Sequence, residues 1–136
     1  MNYTRILLAA VGATIAYFAF GGLTFVLLPG MKNEFSKYPN LYRSRESMNA
    51  AMPIGMAGIF FGILVVSYLY ATTVNSGGGL MAGLKFGVLI GVFVVCASVL
   101  HNHMNLNIGW TMTLMQSVAY LAEWIVVGLA IGAIYK

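Results

Sequence analysis

One glutamate lies inside a long apolar segment near the C-terminus, and three further polar side chains share its predicted helical face. Counting back from Glu123 by three or four residues gives Tyr120, Gln116 and Thr113, which is the spacing of neighbours on one side of an α-helix. A charge at the centre of a membrane costs about 2.5 to 3.5 kcal/mol on insertion scales, so Glu123 is predicted to face other helices or a partner. Such a carboxyl group could bind a proton or a cation.

Two histidines lie close together in the segment SVLHNHMNLNIGW, between two apolar runs. His101 and His103 are two positions apart, so on a continuous helix they point to different sides, whereas helical zinc ligands are usually three or four apart. No metal site is therefore predicted. Either histidine could be an axial ligand to a haem or a chlorophyll-type pigment. A polar turn at the membrane interface explains the segment without any ligand, and the spacing favours this interpretation.

No arrangement typical of an enzyme is visible in the sequence. The chain contains 3 acidic residues, all of them glutamate, so carboxylate pairs and serine triads lack their parts. No glycine-rich phosphate loop follows a predicted strand. The chain is therefore predicted not to be an enzyme. Its basic pI of about 9.4 suits anionic lipid headgroups better than nucleic acid, and no nucleic-acid partner is predicted.

The composition indicates an integral membrane protein. Hydrophobic residues make up 60% of the chain and charged residues 7%, against about 25% charged residues in soluble proteins. Apolar runs of at least the roughly 20 residues that cross a bilayer cover 6–28, 50–71, 80–100 and 108–135. The first run exceeds the roughly 7 to 15 residues of a signal core, so it is predicted to be a transmembrane helix. The predicted fold is an all-α antiparallel bundle of four transmembrane helices, one membrane domain over 1–136.

The segment 31–47 between the first two apolar runs is basic and aromatic. Its aromatic residues Phe35, Tyr38 and Tyr42 have the spacing of one side of a short helix in the headgroup layer, although Pro39 would break that helix. A basic interfacial loop with aromatic anchors is therefore predicted. Ser44 or Ser47 can cap the helix that follows. The next connection, TTVNSGGG, is predicted to be a flexible turn.

Small residues recur at helical spacing in the apolar runs. In the third predicted helix they form a glycine zipper with a glycine at every fourth position, Gly79, Gly83, Gly87 and Gly91. Shorter stripes occur in the second run, at Gly55, Gly58 and Gly62, and in the fourth, at Gly128 and Gly132. Because lipid provides no hydrophobic drive for helix association, such stripes stabilise bundles through close backbone contact. They are predicted to pack this bundle; the alternative is a groove for a partner helix or a lipid tail.

A lysine also lies within the apolar runs. Lys85 is about a turn and a half into the third run, where its long stem can reach the headgroups. The alternative is an ion pair with Glu123, about 10 Å away along the helix axis, which would need a bridging water or hydroxyl group. Basic residues are nearly balanced across the membrane. The termini are assigned to the cytoplasm because the segment HNHMNLN lacks Lys and Arg, as translocated loops often do.

The segments MPIGMAGIFFGILVV and GLMAGLKFGVLIGVFVV, followed by a polar helix junction, resemble a broad group of small bacterial four-helix integral membrane proteins. The resemblance covers the second to fourth apolar runs. It implies a bacterial inner-membrane protein and carries over no catalytic residue.

Three functions remain. The first is an accessory or structural subunit that docks laterally on a larger membrane complex, of respiratory or photosynthetic type, or on copies of itself. The alternative is a small homo-oligomeric transporter or channel that uses Glu123 for a proton or cation. A third is haem or pigment binding through His101 or His103.

Overall fold

The computed structural model describes residues 1–74 and 78–136, and this part of the chain is helical with no β-strand. Its helices are α1 (Tyr3–Leu27), α2 (Pro29–Ser36), α3 (Arg45–Thr73), α4 (Gly79–Asn105) and α5 (Trp110–Ile134). All except the short α2 are long and apolar enough to cross a membrane. The prediction of an all-α chain with four apolar spans is confirmed, which indicates a multi-pass membrane protein. The predicted turn TTVNSGGG lies partly outside the described residues.

Polar side chains set where two of the long helices begin. The side chain of Asn2 accepts a hydrogen bond of 3.1 Å from the backbone N–H of Arg5 at the start of α1. The hydroxyl of Ser44 accepts one of 3.3 Å from the N–H of Ser47. Since a capping side chain satisfies a free amide of the first turn, α3 begins at Arg45, earlier than the apolar run that starts at residue 50.

The segment HNHMN is the last turn of α4, where the sequence predicts an interfacial turn between helices. The helix is α-helical over Gly79–Val94, π-helical over Val95–Leu100 and α-helical again over His101–Asn105. Histidine and asparagine cost an α-helix only part of a kcal/mol each, so a short polar stretch with no proline does not end the helix. The connection to α5 is consequently reduced to residues 106–109.

α1 packs against both α3 and α5, and α5 packs against both α1 and α4. Three fully buried alanines, Ala9, Ala10 and Ala13, let α1 approach its neighbours closely. Larger side chains of α3 and α5 fill the space around them, including Ile63, Tyr70, Val127 and Ile131. This core lies in the half of the molecule that carries both termini, where the Arg5 side chain donates to the backbone carbonyl of Lys136.

Glycines on α4 lie directly against the backbone of α5. Gly83, Gly87 and Gly91 are buried. A methyl group added at Gly87 would lie 2.6 Å from the carbonyl oxygen of Trp124 and 3.1 Å from the Cα of Gly128. One added at Gly132 would lie 2.9 Å from the Cα of Gly83. A side chain at Gly83, Gly87 or Gly132 would therefore meet backbone atoms of the facing helix, which cannot move aside as a side chain can.

The glycines of α3 have different surroundings. A methyl group added at Gly55, Gly58 or Gly62 would have no atom of the described neighbouring residues within 4 Å. All three positions are exposed. The small-residue stripe on α3 therefore lies on an outer face of the molecule.

The contacts at the two ends of the molecule predict that both termini lie on the same side of the membrane. Arg5 contacts Lys136 at one end, while Tyr38 contacts Gly109 at the other. Reporter fusions at residues 1 and 136 should therefore give the same sidedness, and a reporter inserted at 106–109 should give the opposite one. Termini on opposite sides of the membrane would contradict a four-span arrangement.

Candidate functional site

Glu123 lies beside a cavity between α1 and α5, about 20 Å from the start of α5 at 1.5 Å per residue. The cavity encloses about 170 Å³. Its walls come from α1, α2 and α5, and its lining residues are Tyr17, Gly21, Thr24, Phe25, Met31, Phe35, Gln116, Ala119, Tyr120 and Glu123. The half-buried Glu123 thus borders a protein cavity at mid-helix.

Two residues of α1 shape the space around the Glu123 carboxyl group. A methyl group added at Gly21 would lie 2.7 Å from Oε1 of Glu123, so the absence of a side chain there makes room for the carboxyl. One turn earlier, Tyr17 lines the same cavity as Glu123, and its ring centre is 6.1 Å from that of Trp124. Sequence reasoning missed both α1 residues, although their i, i+4 spacing places them on one helix face.

The segment 31–47, here called the first loop, covers the end of this cavity. The ring of Phe35 lies 5.8 Å from that of Phe25 and 4.9 Å from that of Tyr42. Nε2 of Gln116 donates a hydrogen bond of 3.4 Å to the Tyr42 hydroxyl, and burial raises the pKa of Tyr42 above its ordinary value. The predicted aromatic anchors therefore turn towards the protein; Tyr38 does so as well, since its hydroxyl accepts from the N–H of Gly109 at 2.9 Å.

The charges of this loop lie outside the cavity. The four basic side chains are exposed, namely Lys32, Lys37, Arg43 and Arg45. Glu34 is buried, with 6% of its surface exposed, and it accepts a hydrogen bond from Lys37, which raises the pKa of that lysine. The four basic side chains therefore lie on the surface of the protein, and no Lys or Arg is among the residues that line the cavity.

The polar stripe of α5 divides into two groups. Gln116, Tyr120 and Glu123 line the cavity. Thr113 is fully buried, and its hydroxyl lies 2.8 Å from Nδ1 of His103 on α4. Thr113 therefore belongs to the junction between α4 and α5.

The two histidines have separate environments. His103 stacks on Trp110 with ring centres 4.1 Å apart, in addition to its contact with Thr113, whereas His101 is exposed. Among residues 1–74 and 78–136, no three His, Cys, Asp or Glu side chains are grouped so that they could hold a metal ion. The contacts of His103 are those of a residue that joins two helix ends. Haem or pigment binding at either histidine stays a prediction.

Replacing the histidines separates these roles. His103→Ala should lower the free energy of unfolding by about 1 to 2 kcal/mol, because it removes one hydrogen bond and one aromatic contact. The matched variant His101→Ala should leave stability unchanged. Thermal unfolding in mild detergent measures both, and an equal effect of the two substitutions would contradict this assignment.

Lys85 is exposed on α4, a helix that contributes nothing to the cavity lining. In the described parts of the chain, the ion pair within 4.0 Å is that of Lys37 with Glu34. Lys85 and Glu123 are thus not paired there, and the carboxyl group of Glu123 is left facing the cavity.

Comparison with protein families, curated proteins and solved structures gives no match. The resemblance to small bacterial four-helix membrane proteins stays a prediction. Inference about function depends on the chemistry of the cavity itself.

Proposed function

We propose that the chain is a small membrane transporter that binds a proton or a cationic solute at Glu123. The observation that supports this is a carboxyl group at mid-helix that faces a cavity and has no ion-pair partner among the described residues. Acidic side chains are rare within membrane spans, and those that occur mark proton and substrate pathways. Packing alone does not require a glutamate beside an open cavity.

The proposal places the four long helices across the bacterial inner membrane as an antiparallel bundle with both termini in the cytoplasm. Close contact of α4 with α5 through their glycines would hold one side of this bundle together. The alanine-rich core around Ala9 and Ala13 fills the end nearer the termini, whereas α2 and the first loop cover the cavity at the other end. A transport cycle would therefore open these two ends in turn.

Reconstitution into liposomes tests the proposal. Under an imposed gradient of protons or of an organic cation, the wild-type protein should show uptake above that of empty liposomes. Glu123→Gln keeps the side-chain volume and removes the titratable carboxyl, so it should lower uptake at least about tenfold. Glu46→Gln, at an exposed position in the first turn of α3, is the matched control and should be active. Equal uptake by Glu123→Gln and the wild type would contradict the proposal.

A second candidate function is that of an accessory subunit which docks laterally on a larger membrane complex. It is favoured by the outer face of α3, where Gly55, Gly58 and Gly62 have open space around them and a partner helix could approach closely. Purification from native membranes in mild detergent should then yield a larger assembly, either with other proteins or with copies of this chain. A lone monomer would contradict docking and would leave transport as the function.

A further inference from the structure

We propose that the ligand of the Glu123 cavity is a single-chain alkylammonium amphiphile. Its cationic head group would occupy the cavity, and its alkyl chain would lie in an apolar groove next to it. This inference rests on the proposed function, since it names the ligand class of the same site.

The groove runs along the outside of α1 and α5 and encloses about 660 Å³. Leu27 and Val118 contribute to its lining, and each of them is 69% exposed, so the groove is open to the hydrocarbon of a membrane. Thr24, Met31 and Ala119 line both the groove and the Glu123 cavity. A molecule that enters from the bilayer can therefore place its polar head in the cavity and its alkyl chain in the groove.

The cavity lining matches an ammonium group. One carboxyl group, that of Glu123, is accompanied by four aromatic side chains, Tyr17, Phe25, Phe35 and Tyr120. The faces of aromatic rings attract cations, and rings grouped around a site are the usual way in which proteins bind quaternary ammonium ions. At about 170 Å³ the cavity is smaller than the roughly 300 Å³ at which pockets for drug-sized ligands begin, so it fits a head group alone.

Other amphiphiles suit the two spaces less well. An anionic head would bring its charge against Glu123, with no Lys or Arg among the lining residues. A neutral head would give the Glu123 carboxyl no counterion, so the carboxyl would be protonated and would add no electrostatic attraction to the bound molecule. The exposed cations of the first loop repel a cation that approaches from water, which favours lateral entry through the groove.

A binding experiment in uncharged maltoside detergent tests this inference. Three radiolabelled probes are compared: decyltrimethylammonium, the uncharged analogue in which a tert-butyl group replaces the trimethylammonium group, and tetramethylammonium, which has no alkyl chain. Binding to the Glu123→Gln variant gives the background. We expect the wild type to bind decyltrimethylammonium at least tenfold more tightly than either of the other probes. Ala122→Leu narrows the groove without touching the cavity lining, so it should weaken the decyl probe and leave tetramethylammonium binding unchanged.

The outcomes separate the two proposals. Equal binding of the charged and uncharged decyl probes, or equal binding by the wild type and Glu123→Gln, would overturn the alkylammonium assignment. If the same protein still shows Glu123-dependent uptake of protons or small cations in liposomes, the proposed transport function stands without it. Tighter binding of decyl sulfate than of decyltrimethylammonium would also overturn the assignment, in favour of an anionic lipid.

Discussion

Gly87→Leu should prevent the chain from folding, whereas Gly58→Leu should leave it folded. The atoms nearest to a side chain at Gly87 belong to the backbone of α5, with the Trp124 carbonyl oxygen at 2.6 Å and the Ile125 Cα at 3.0 Å. A backbone cannot move aside as a flexible side chain does, so the helices must separate. Overpacking typically costs about 1 to 3 kcal/mol and occasionally more, and we expect a cost above that range because a whole leucine is added against backbone atoms.

Gly58 is the matched control because it also lies at mid-helix, yet has no described neighbour within 4 Å of an added methyl group. Size-exclusion chromatography and thermal unfolding in detergent compare the two variants. We expect Gly87→Leu to be aggregated or unfolded and Gly58→Leu to have wild-type stability. Similar stability of the two variants would show that α4 and α5 are not in close backbone contact.

Gly21→Leu should eliminate ligand binding at Glu123 without unfolding the protein. A side chain at Gly21 meets the Glu123 carboxyl at 2.7 Å, but that carboxyl is the free end of a flexible side chain beside a cavity of about 170 Å³. The leucine can therefore occupy the cavity while the helices stay in place. We expect the affinity for a cationic probe to fall at least about tenfold, while the variant folds with an unfolding temperature close to that of the wild type.

The neighbouring glycine supplies the control. Gly22 has no described neighbour within 4 Å of an added methyl group, so Gly22→Leu should preserve both binding and stability. Titration of a cationic probe against the purified variants measures binding, and thermal unfolding measures stability. If Gly21→Leu binds the probe as well as Gly22→Leu does, the space beside Glu123 is not the ligand site.

The spans follow from the sequence because hydropathy acts within each helix. Runs such as 6–28 and 108–135 are long and apolar, and the hydrogen bonds of a helix form within the run itself. Their helices therefore lie close to the predicted bounds. Which helices become neighbours is a different matter, since glycines have similar spacing on α3 and α4. Gly83, Gly87 and Gly91 lie next to atoms of α5, while the glycines of α3 lie on an outer face, and spacing alone does not distinguish the two sets.

The residues of the candidate site could likewise be predicted from the sequence only where they share one helix. Gln116, Tyr120 and Glu123 could be grouped from the sequence because they share one helix face. Tyr17 is more than 100 positions from Glu123 in the chain, and only the packing of α1 on α5 brings the two together. The spacing of the loop aromatics indicates that they share a side, but not which side. Because α2 ends at Ser36 and the chain folds back, Phe35 lies against Tyr42 beside the cavity, and the sequence does not show this fold-back.

Chemical labelling of Glu123 tests the central claim, a reachable carboxyl group that binds a cation, most directly. The apolar reagent dicyclohexylcarbodiimide adds to carboxylic acids in membranes, and peptide mass analysis identifies the modified residue. In uncharged detergent we predict modification of Glu123 and a several-fold slower reaction when decyltrimethylammonium is present, with exposed Glu46 as the internal reference. A Glu123 that does not react, or that reacts at the same rate with and without the cation, would contradict the assignment of this cavity as a cation site.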